Sequence, residues 1–254
     1  MTAPWDPYAV LLAAASGAFA LAWLVQTKPV EITALSWRRQ LVLPAALAVG
    51  FVSGARLPVV LASADWIADG PTLTTALAVG YLAMEAVRVA AMMPPASRDS
   101  VALPLALALG VARMGCFVNG CCRGAATSLP WAVDFGDGIA RHPTQLYESC
   151  FHLVASGATL WLPRRWAPPG QVLRLYLAAY CAYRFATEWI RLERPWRLGI
   201  TRSQAVVLLL GTVLVALWWR DAPEARRAQR ARIRARDSGS GAERSLDALP
   251  GGTG

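Results

Sequence analysis

VALPLALALGVARMGCFVNGCCRG, residues 101–124, decides the fold class. Its first part is an apolar run broken only by Pro104. It then gives way to a polar stretch holding Arg113, Cys116, Asn119, Cys121, Cys122 and Arg123. A run of this kind, extended to roughly 20 residues, crosses a hydrocarbon core about 30 Å thick. The polar groups then fall where a membrane meets water.

Composition extends the reading to the whole chain. Of 254 residues, 56% are hydrophobic and only 16% charged, whereas a soluble domain is about one quarter charged. Apolar runs recur at about 8–26, 41–61, 72–93, 101–118, 146–162, 171–190 and 203–219. These predict an all-α, polytopic membrane bundle of about seven transmembrane helices. Pro44 and Pro104 are compatible with it, because helices packed in a bundle re-satisfy backbone groups that a proline frees. The first run lacks the pattern of a cleaved signal: no Lys or Arg precedes it, Asp6 does, and Lys28 follows. It is expected to remain in the mature protein.

Basic residues in short loops set orientation. Lys28, Arg38 and Arg39 follow the first run, Arg98 the third, and Arg164 with Arg165 the fifth, while residues 62–71 carry only Asp65 and Asp69. The expected N-terminus is outside and the C-terminus inside. Residues 1–220 then form the transmembrane domain, and 221–254, with EARRAQRARIRAR, a basic cytoplasmic tail. Much of the net charge of +9 lies in that tail, which suits an anionic lipid surface or a disordered arm. No groove-reading or stacking element accompanies the basic residues, so nucleic acid is not an expected partner.

On the outer side this topology gathers Arg113, Arg123, Arg141, Arg184, Arg191, Arg194, Arg197 and Arg202, against the positive-inside tendency. Arginine offers a permanent charge and a planar set of donors suited to phosphate, and a lipid headgroup is the obvious anion at that depth. The alternative is a set of snorkelling side chains paired with Asp134, Asp137, Glu188 and Glu193.

AAYCAYRFATEWIRLERP, residues 178–195, spaces Tyr180, Arg184, Glu188 and Arg191 by four, four and three. That spacing predicts one shared helical face, with Glu188 holding Arg184. Ionisable groups inside a span point to function by default. The loop LPWAVDFGDGIARHPTQLYES, residues 129–149, contains His142, one of only two histidines. His142 is read as a base, a phosphate donor or a loop hydrogen-bonder; His152 is read as a buried hydrogen-bonder.

These segments resemble the prolipoprotein diacylglyceryl transferase family of bacterial inner-membrane enzymes. The family pattern G-R-x-G-N-F-x-N-G-E stands here as ARMGCFVNGCC, 112–122. R-H-P-[ST]-Q-L-Y-E is complete as RHPTQLYE, 141–148, preceded by LPW, 129–131. Y-x-x-x-R-F-x-x-E-x-x-R is complete as YCAYRFATEWIR, 180–191. More weakly, SGARL, 53–57, resembles the family's second-helix element, and Tyr8 its first-helix tyrosine.

The resemblance implies a multi-pass enzyme of the bacterial plasma membrane. Such an enzyme transfers a diacylglyceryl group from phosphatidylglycerol to the lipobox cysteine of a prolipoprotein signal peptide. It implies catalytic roles for Arg113, His142, Tyr180, Arg184 and Glu188. Substrate-binding roles fall to Arg56, Asn119, Gly120, Gly124, Arg141, Gln145, Tyr147, Glu148 and Arg191. The chemistry needs a thiolate and stabilisation of charge on the departing phosphate; no metal or organic cofactor is required.

The sequence also departs from the family. DGPTLTTALAVG, 69–80, lacks the histidine the family carries at the start of its third helix. The thiol proton is then left to His142, Tyr180, or a water held by Glu148 or Glu188. Cys116 and Cys121 replace an Asn and a Glu, and Pro58 and Val59 a Gly and a Tyr. Cys116, Cys121 and Cys122 leave open a disulfide around Asn119, a metal site with His142 as an extra ligand, or reactive thiols. Cys150 and Cys181 read as buried apolar residues. The alternatives to the transferase are a phospholipid-binding membrane protein without the chemistry and a thiol-redox protein using the three clustered cysteines.

Overall fold

In a computed structural model, described over residues 6–26, 30–61, 73–161, 168–192 and 199–221 together with 223 and 227, the chain is almost entirely helical. The helices are α1 Pro7–Val25, α2 Val30–Thr33, α3 Trp37–Leu61, α4 Leu73–Ala90, α5 Ala102–Val118, α6 Thr144–Trp161, α7 Val172–Thr187 and α8 Arg202–Asp221. Short 3₁₀ segments, Pro95–Val101 and Glu188–Ile190, precede α5 and follow α7. Strands β1 Val133–Asp134 and β2 Ala140–Arg141 pair antiparallel in the loop before α6.

The seven long helices overlie the seven expected apolar runs. Both prolines lie inside unbroken helices, Pro44 in α3 and Pro104 in α5. Four segments are long and apolar enough to cross a membrane by length and composition: Pro7–Val25, Leu73–Ala90, Pro95–Val118 and Arg202–Asp221.

Burial gives an independent sign of an apolar surround. In α6 the buried residues are Thr144, Gln145, Glu148, Ser149, His152, Ser156 and Thr159. They recur at helical spacing, whereas Val154 is 73% exposed and Leu160 58%. This helix turns its polar face inward and its apolar face outward, the reverse of a helix on a soluble protein. Cys150 lies on the outward face and is exposed, correcting the expectation that it is buried; Cys181 is buried.

The apolar core joins Trp23 of α1, Leu43 and Leu47 of α3, Leu77 and Met84 of α4, Leu105 and Leu109 of α5, Leu173 and Leu177 of α7, and Leu210 and Leu214 of α8. α3 and α4 meet backbone to backbone. A methyl group on Gly50 would come within 2.9 Å of the Gly80 Cα, and one on Gly54 within 3.0 Å of the Ala76 Cα. Small residues spaced by four allow this approach in the absence of a hydrophobic driving force between helices.

One end of the bundle is tied by buried charge. Arg98, one of the loop cations that set the expected orientation, is 1% exposed. It donates to Glu85 Oε1 at 3.0 Å and to the Gly170 carbonyl at 3.1 Å. Arg174 donates to Tyr81 at 3.0 Å, to the Leu217 carbonyl at 3.2 Å and to Asp221 at 2.6 Å. These contacts fasten α4, α7, α8 and the segment before α5, leaving the other ends of α5, α7 and α8 to build a second polar cluster.

Candidate active site

α5 ends because Asn119-Gly120 ends it. Gly120 adopts φ +63°, its N–H donates to the Phe117 carbonyl at 3.0 Å, and the Cys121 N–H donates to the Cys116 carbonyl at 3.1 Å. This is the paired bonding of a helix closed by a left-handed residue, with Asn119 as the cap. Two residues later Cys122 also takes a left-handed backbone, φ +59°. Gln145 Nε2 donates to the Cys121 carbonyl at 2.6 Å and Thr144 Oγ1 to the Cys122 carbonyl at 2.7 Å. The turn is thereby pinned to the start of α6.

The chain then enters a small backbone ladder. The Gly124 N–H donates to the His142 carbonyl at 3.0 Å, the His142 N–H to the Ala125 carbonyl at 3.0 Å, and the Ala125 N–H to the Ile190 carbonyl at 2.8 Å. Gly124 bridges Arg191, and Ala126 bridges Arg141. Only glycine fits at 124: a methyl group there would lie 2.6 Å from the Ile190 oxygen and 2.7 Å from the His142 Cβ. Arg141, His142 and Arg191 are thus set side by side by main-chain bonds over the end of the bundle.

The loop between the strands is organised by two aspartates. Asp134 Oδ1 accepts from the N–H groups of Gly136, Asp137 and Gly138 at 2.9, 3.1 and 3.0 Å. Asp137 Oδ2 accepts from Arg141 Nη2 at 2.9 Å and lies 3.4 Å from Arg123 Nη1. The hydrogen bond from Arg141 holds the Asp137 carboxyl below the usual carboxylate range. Trp131 Nε1 donates to the Tyr147 hydroxyl at 2.7 Å, and that hydroxyl stands 3.4 Å from His142 Nδ1.

Beneath the ladder lies the buried centre. Arg113 Nη2 of α5 donates to Glu148 Oε1 of α6 at 3.0 Å, and the Tyr180 hydroxyl of α7 donates to the same oxygen. Arg191 Nη1 lies 3.8 Å from Glu148 Oε2. Arg184 Nη1 pairs with Glu188 Oε2 at 3.0 Å, and Thr201 Oγ1 donates to Glu188 Oε1 at 2.7 Å. Arg113, Glu148, Tyr180, Arg184 and Glu188 are all buried.

Among these residues, Arg113, Arg123, Arg141, Arg184 and Arg191 face the carboxylates Asp137, Glu148 and Glu188. Of these, Arg113, Arg184 and Arg191 with Glu148 and Glu188 form the buried part, and Arg123, Arg141 and Asp137 the more exposed part. Arg113 Nε is buried without a hydrogen-bond partner among the described residues. A buried guanidinium with an N–H left unpaired favours an anionic acceptor.

The expected residues thus gather in two layers. Arg113, Glu148, Tyr180, Arg184, Glu188 and Arg191 form the buried one; Asn119, Gly120, Gly124, Arg141, His142, Gln145 and Tyr147 form the covering one. Arg191 corrects the helical-face expectation: α7 stops at Thr187, and Arg191 is extended, φ −103° and ψ 161°. It reaches Glu148 through the ladder. Arg56 is exposed on α3, and no described hydrogen bond or ion pair joins it to the cluster. Glu193, Arg194 and Arg197, the 69–72 segment and most of the tail lie outside the described residues.

His152 is fully buried as expected, 2.8 Å from the Tyr176 hydroxyl through Nδ1. The sequence reading missed Thr144, Thr201 and the hydrogen-bonding role of Trp131. Thr201 carried a signal: TRSQ, 201–204, is a capping box, with Gln204 N donating to Thr201 Oγ1 at 3.1 Å and Thr201 N donating to Gln204 Oε1 at 3.0 Å.

The three neighbouring cysteines are free thiols, their sulfurs all within 4.8 Å of one another. Arg113 Nη1 lies 3.6 Å from Cys116 Sγ. Hydrogen bonds from Cys116 and Cys121, and then the Arg113 and Arg191 charges, hold the Cys122 thiol well below its ordinary value.

The profile of the family described as prolipoprotein diacylglyceryl transferase matches residues 5–220. Three relatives are similar to this chain, each named a phosphatidylglycerol–prolipoprotein diacylglyceryl transferase. One from Dehalococcoides mccartyi is 33% identical over 46% of this chain and 48% of its own length. One from Streptomyces coelicolor is 36% identical over 60% of this chain and 48% of its own. One from Nitratidesulfovibrio vulgaris is 41% identical over 47% of this chain and 48% of its own. The chain spans about half the length of these curated relatives in the matched stretches. With the profile covering most of its length, the chain belongs to the prolipoprotein diacylglyceryl transferase family.

Proposed function

We propose that this protein transfers a diacylglyceryl group from phosphatidylglycerol to the lipobox cysteine thiol of bacterial prolipoproteins. The observation that carries the reading is the buried Arg113–Glu148 and Arg184–Glu188 pairing, with Arg113 Nε left without a partner among the described residues, at one end of a bundle whose outer surface is apolar. The names of the similar proteins support the same substrates.

In this reading the phosphate of the lipid lies among Arg113, Arg184, Arg191 and Arg141. The thiolate attacks the glyceryl carbon, a sulfur–carbon bond forms, and the carbon–oxygen bond to phosphate breaks. The electron pair goes to the phosphate oxygen, and glycerol phosphate leaves. Glu148 and Glu188 hold the guanidinium groups before charge develops, so little reorganisation is needed as it does. Of the candidate proton acceptors, Tyr180 is buried as a donor to Glu148, and both glutamates are engaged by arginines. Its half-buried position beside Tyr147 favours His142 as the acceptor of the thiol proton. Gln145, Asn119, Gly120 and Gly124 shape the turn and ladder over the lipid.

The bundle would then sit in the bacterial plasma membrane as seven spans, N-terminus outside, with 1–220 as the transferase domain and 221–254 as a basic cytoplasmic tail. Headgroup release tests the chemistry. Purified protein in phosphatidylglycerol vesicles is expected to liberate glycerol phosphate only when a cysteine peptide is added. Lipid binding without release under those conditions would instead favour a binding protein.

A further inference from the structure

Cys116, Cys121 and Cys122 have no assigned part in that reaction, yet their arrangement is built rather than incidental. A non-glycine residue seldom adopts the left-handed region, and Cys122 is held there, φ +59°. The Cys121 N–H bond to the Cys116 carbonyl and the bonds from Gln145 and Thr144 over-determine the turn. The outcome is three free sulfurs within 4.8 Å.

A zinc-type cation with sulfur at about 2.3 Å in tetrahedral geometry sets sulfurs about 3.8 Å apart. Side-chain rotation spans the difference. Three thiolates around a dication carry one net negative charge, and Arg113 Nη1, 3.6 Å from Cys116 Sγ, offsets it. The bonds to the Cys121 and Cys122 carbonyls hold the turn that carries two of the ligands, the kind of outer support that fixes metal ligands. Cys122 is exposed, and Cys116 and Cys121 are partly so, which leaves a path of entry.

Resting on the transferase reading, we propose that Cys116, Cys121 and Cys122 bind a thiophilic dication of the zinc class and leave its fourth position for the acceptor cysteine thiol. A thiol that coordinates such a cation gives up its proton more readily, here to the His142 base of that reading, and keeps the electron pair that forms the sulfur–carbon bond. This supplies a thiolate one helical turn from Arg113, in a site where His152 is fully buried and Tyr180 is committed to Glu148.

The test uses the full chain, reduced and stripped with chelator, titrated with cobalt(II) as the spectroscopic probe. The expected result is one equivalent bound with sulfur-to-cobalt charge-transfer bands, displaced by zinc(II). C116S, C121S and C122S should each weaken binding at least about tenfold, while C150S and C181S leave it unchanged. Adding a lipobox peptide should shift the cobalt bands, and its cysteine-to-serine version should not. No stoichiometric uptake by the reduced protein, uptake indifferent to C121S, or bands that ignore the cysteine peptide would each overturn the proposal. None of these readouts needs turnover. Failure here leaves the transferase reading standing, and absent headgroup release with intact cobalt spectra sinks that reading alone.

Discussion

Arg113 on α5 donates to Glu148 on α6 at 3.0 Å, with both side chains buried and the Tyr180 hydroxyl donating to the same carboxylate oxygen. Glu148 is therefore the point on which three helices converge. Removing one partner of a buried pair leaves an uncompensated charge, at a cost of about 3–5 kcal/mol. Glu148→Gln is expected to lower the midpoint of thermal unfolding in detergent and to reduce lipidation by about 10²–10³. A variant that unfolds and turns over like the parent would remove Glu148 from the site.

Arg184 and Glu188 pair at 3.0 Å, and Thr201 independently holds Glu188 at 2.7 Å. Arg184→Lys keeps a charge beside Glu188 but loses the planar donor set. The expected outcome is a fold of unchanged thermal stability with turnover reduced by about 10², measured as peptide lipidation at saturating lipid. Near-normal turnover would count against phosphate clamping by Arg184.

The helices were legible in the sequence because each pairs length with apolar composition; the end of α5 at Val118 was legible too. The α7 boundary was not. The four-four-three spacing continues past Thr187, where the helix stops and a backbone bridge to Gly124 takes over. Periodicity reports which residues share a face but is blind to a chain that leaves its helix. The Glu85, Arg98, Arg174 and Asp221 network was equally hidden, because its members lie on separate elements and meet only through tertiary packing. The spacing of the three family-like motifs exposed most of the site; Thr201 needed its capping box to be read as more than a helix start.

Gly124 offers a test of the ladder alone, since it carries no side chain to do chemistry. Gly124→Ala must displace the Ile190 carbonyl or His142, an overpacking cost of about 1–3 kcal/mol. It should impair lipidation and raise amide exchange at residues 124–126 and 140–142, with helical content unchanged by circular dichroism. Undisturbed exchange there would mean the ladder does not order the site.

Asp137 ties Arg141 and Arg123, and its carboxyl is held below the ordinary range by Arg141. A depressed carboxylate contributes its stabilisation fully above the unfolded value, about 3.9, and loses it as pH falls through the folded value. Amide protection in the 134–141 loop is therefore expected to hold from neutral pH to about pH 4 and to fall only below it. Protection lost by pH 6 would assign the loop's order to another group.

The most direct measurement of the central claim is mass spectrometry of a lipobox peptide incubated with the purified protein and phosphatidylglycerol, beside Arg113→Ala and Arg184→Ala. The account predicts a diacylglyceryl adduct on the peptide cysteine with the parent protein and none with either variant. An unmodified peptide with the parent, or an adduct that both variants still form, would contradict it.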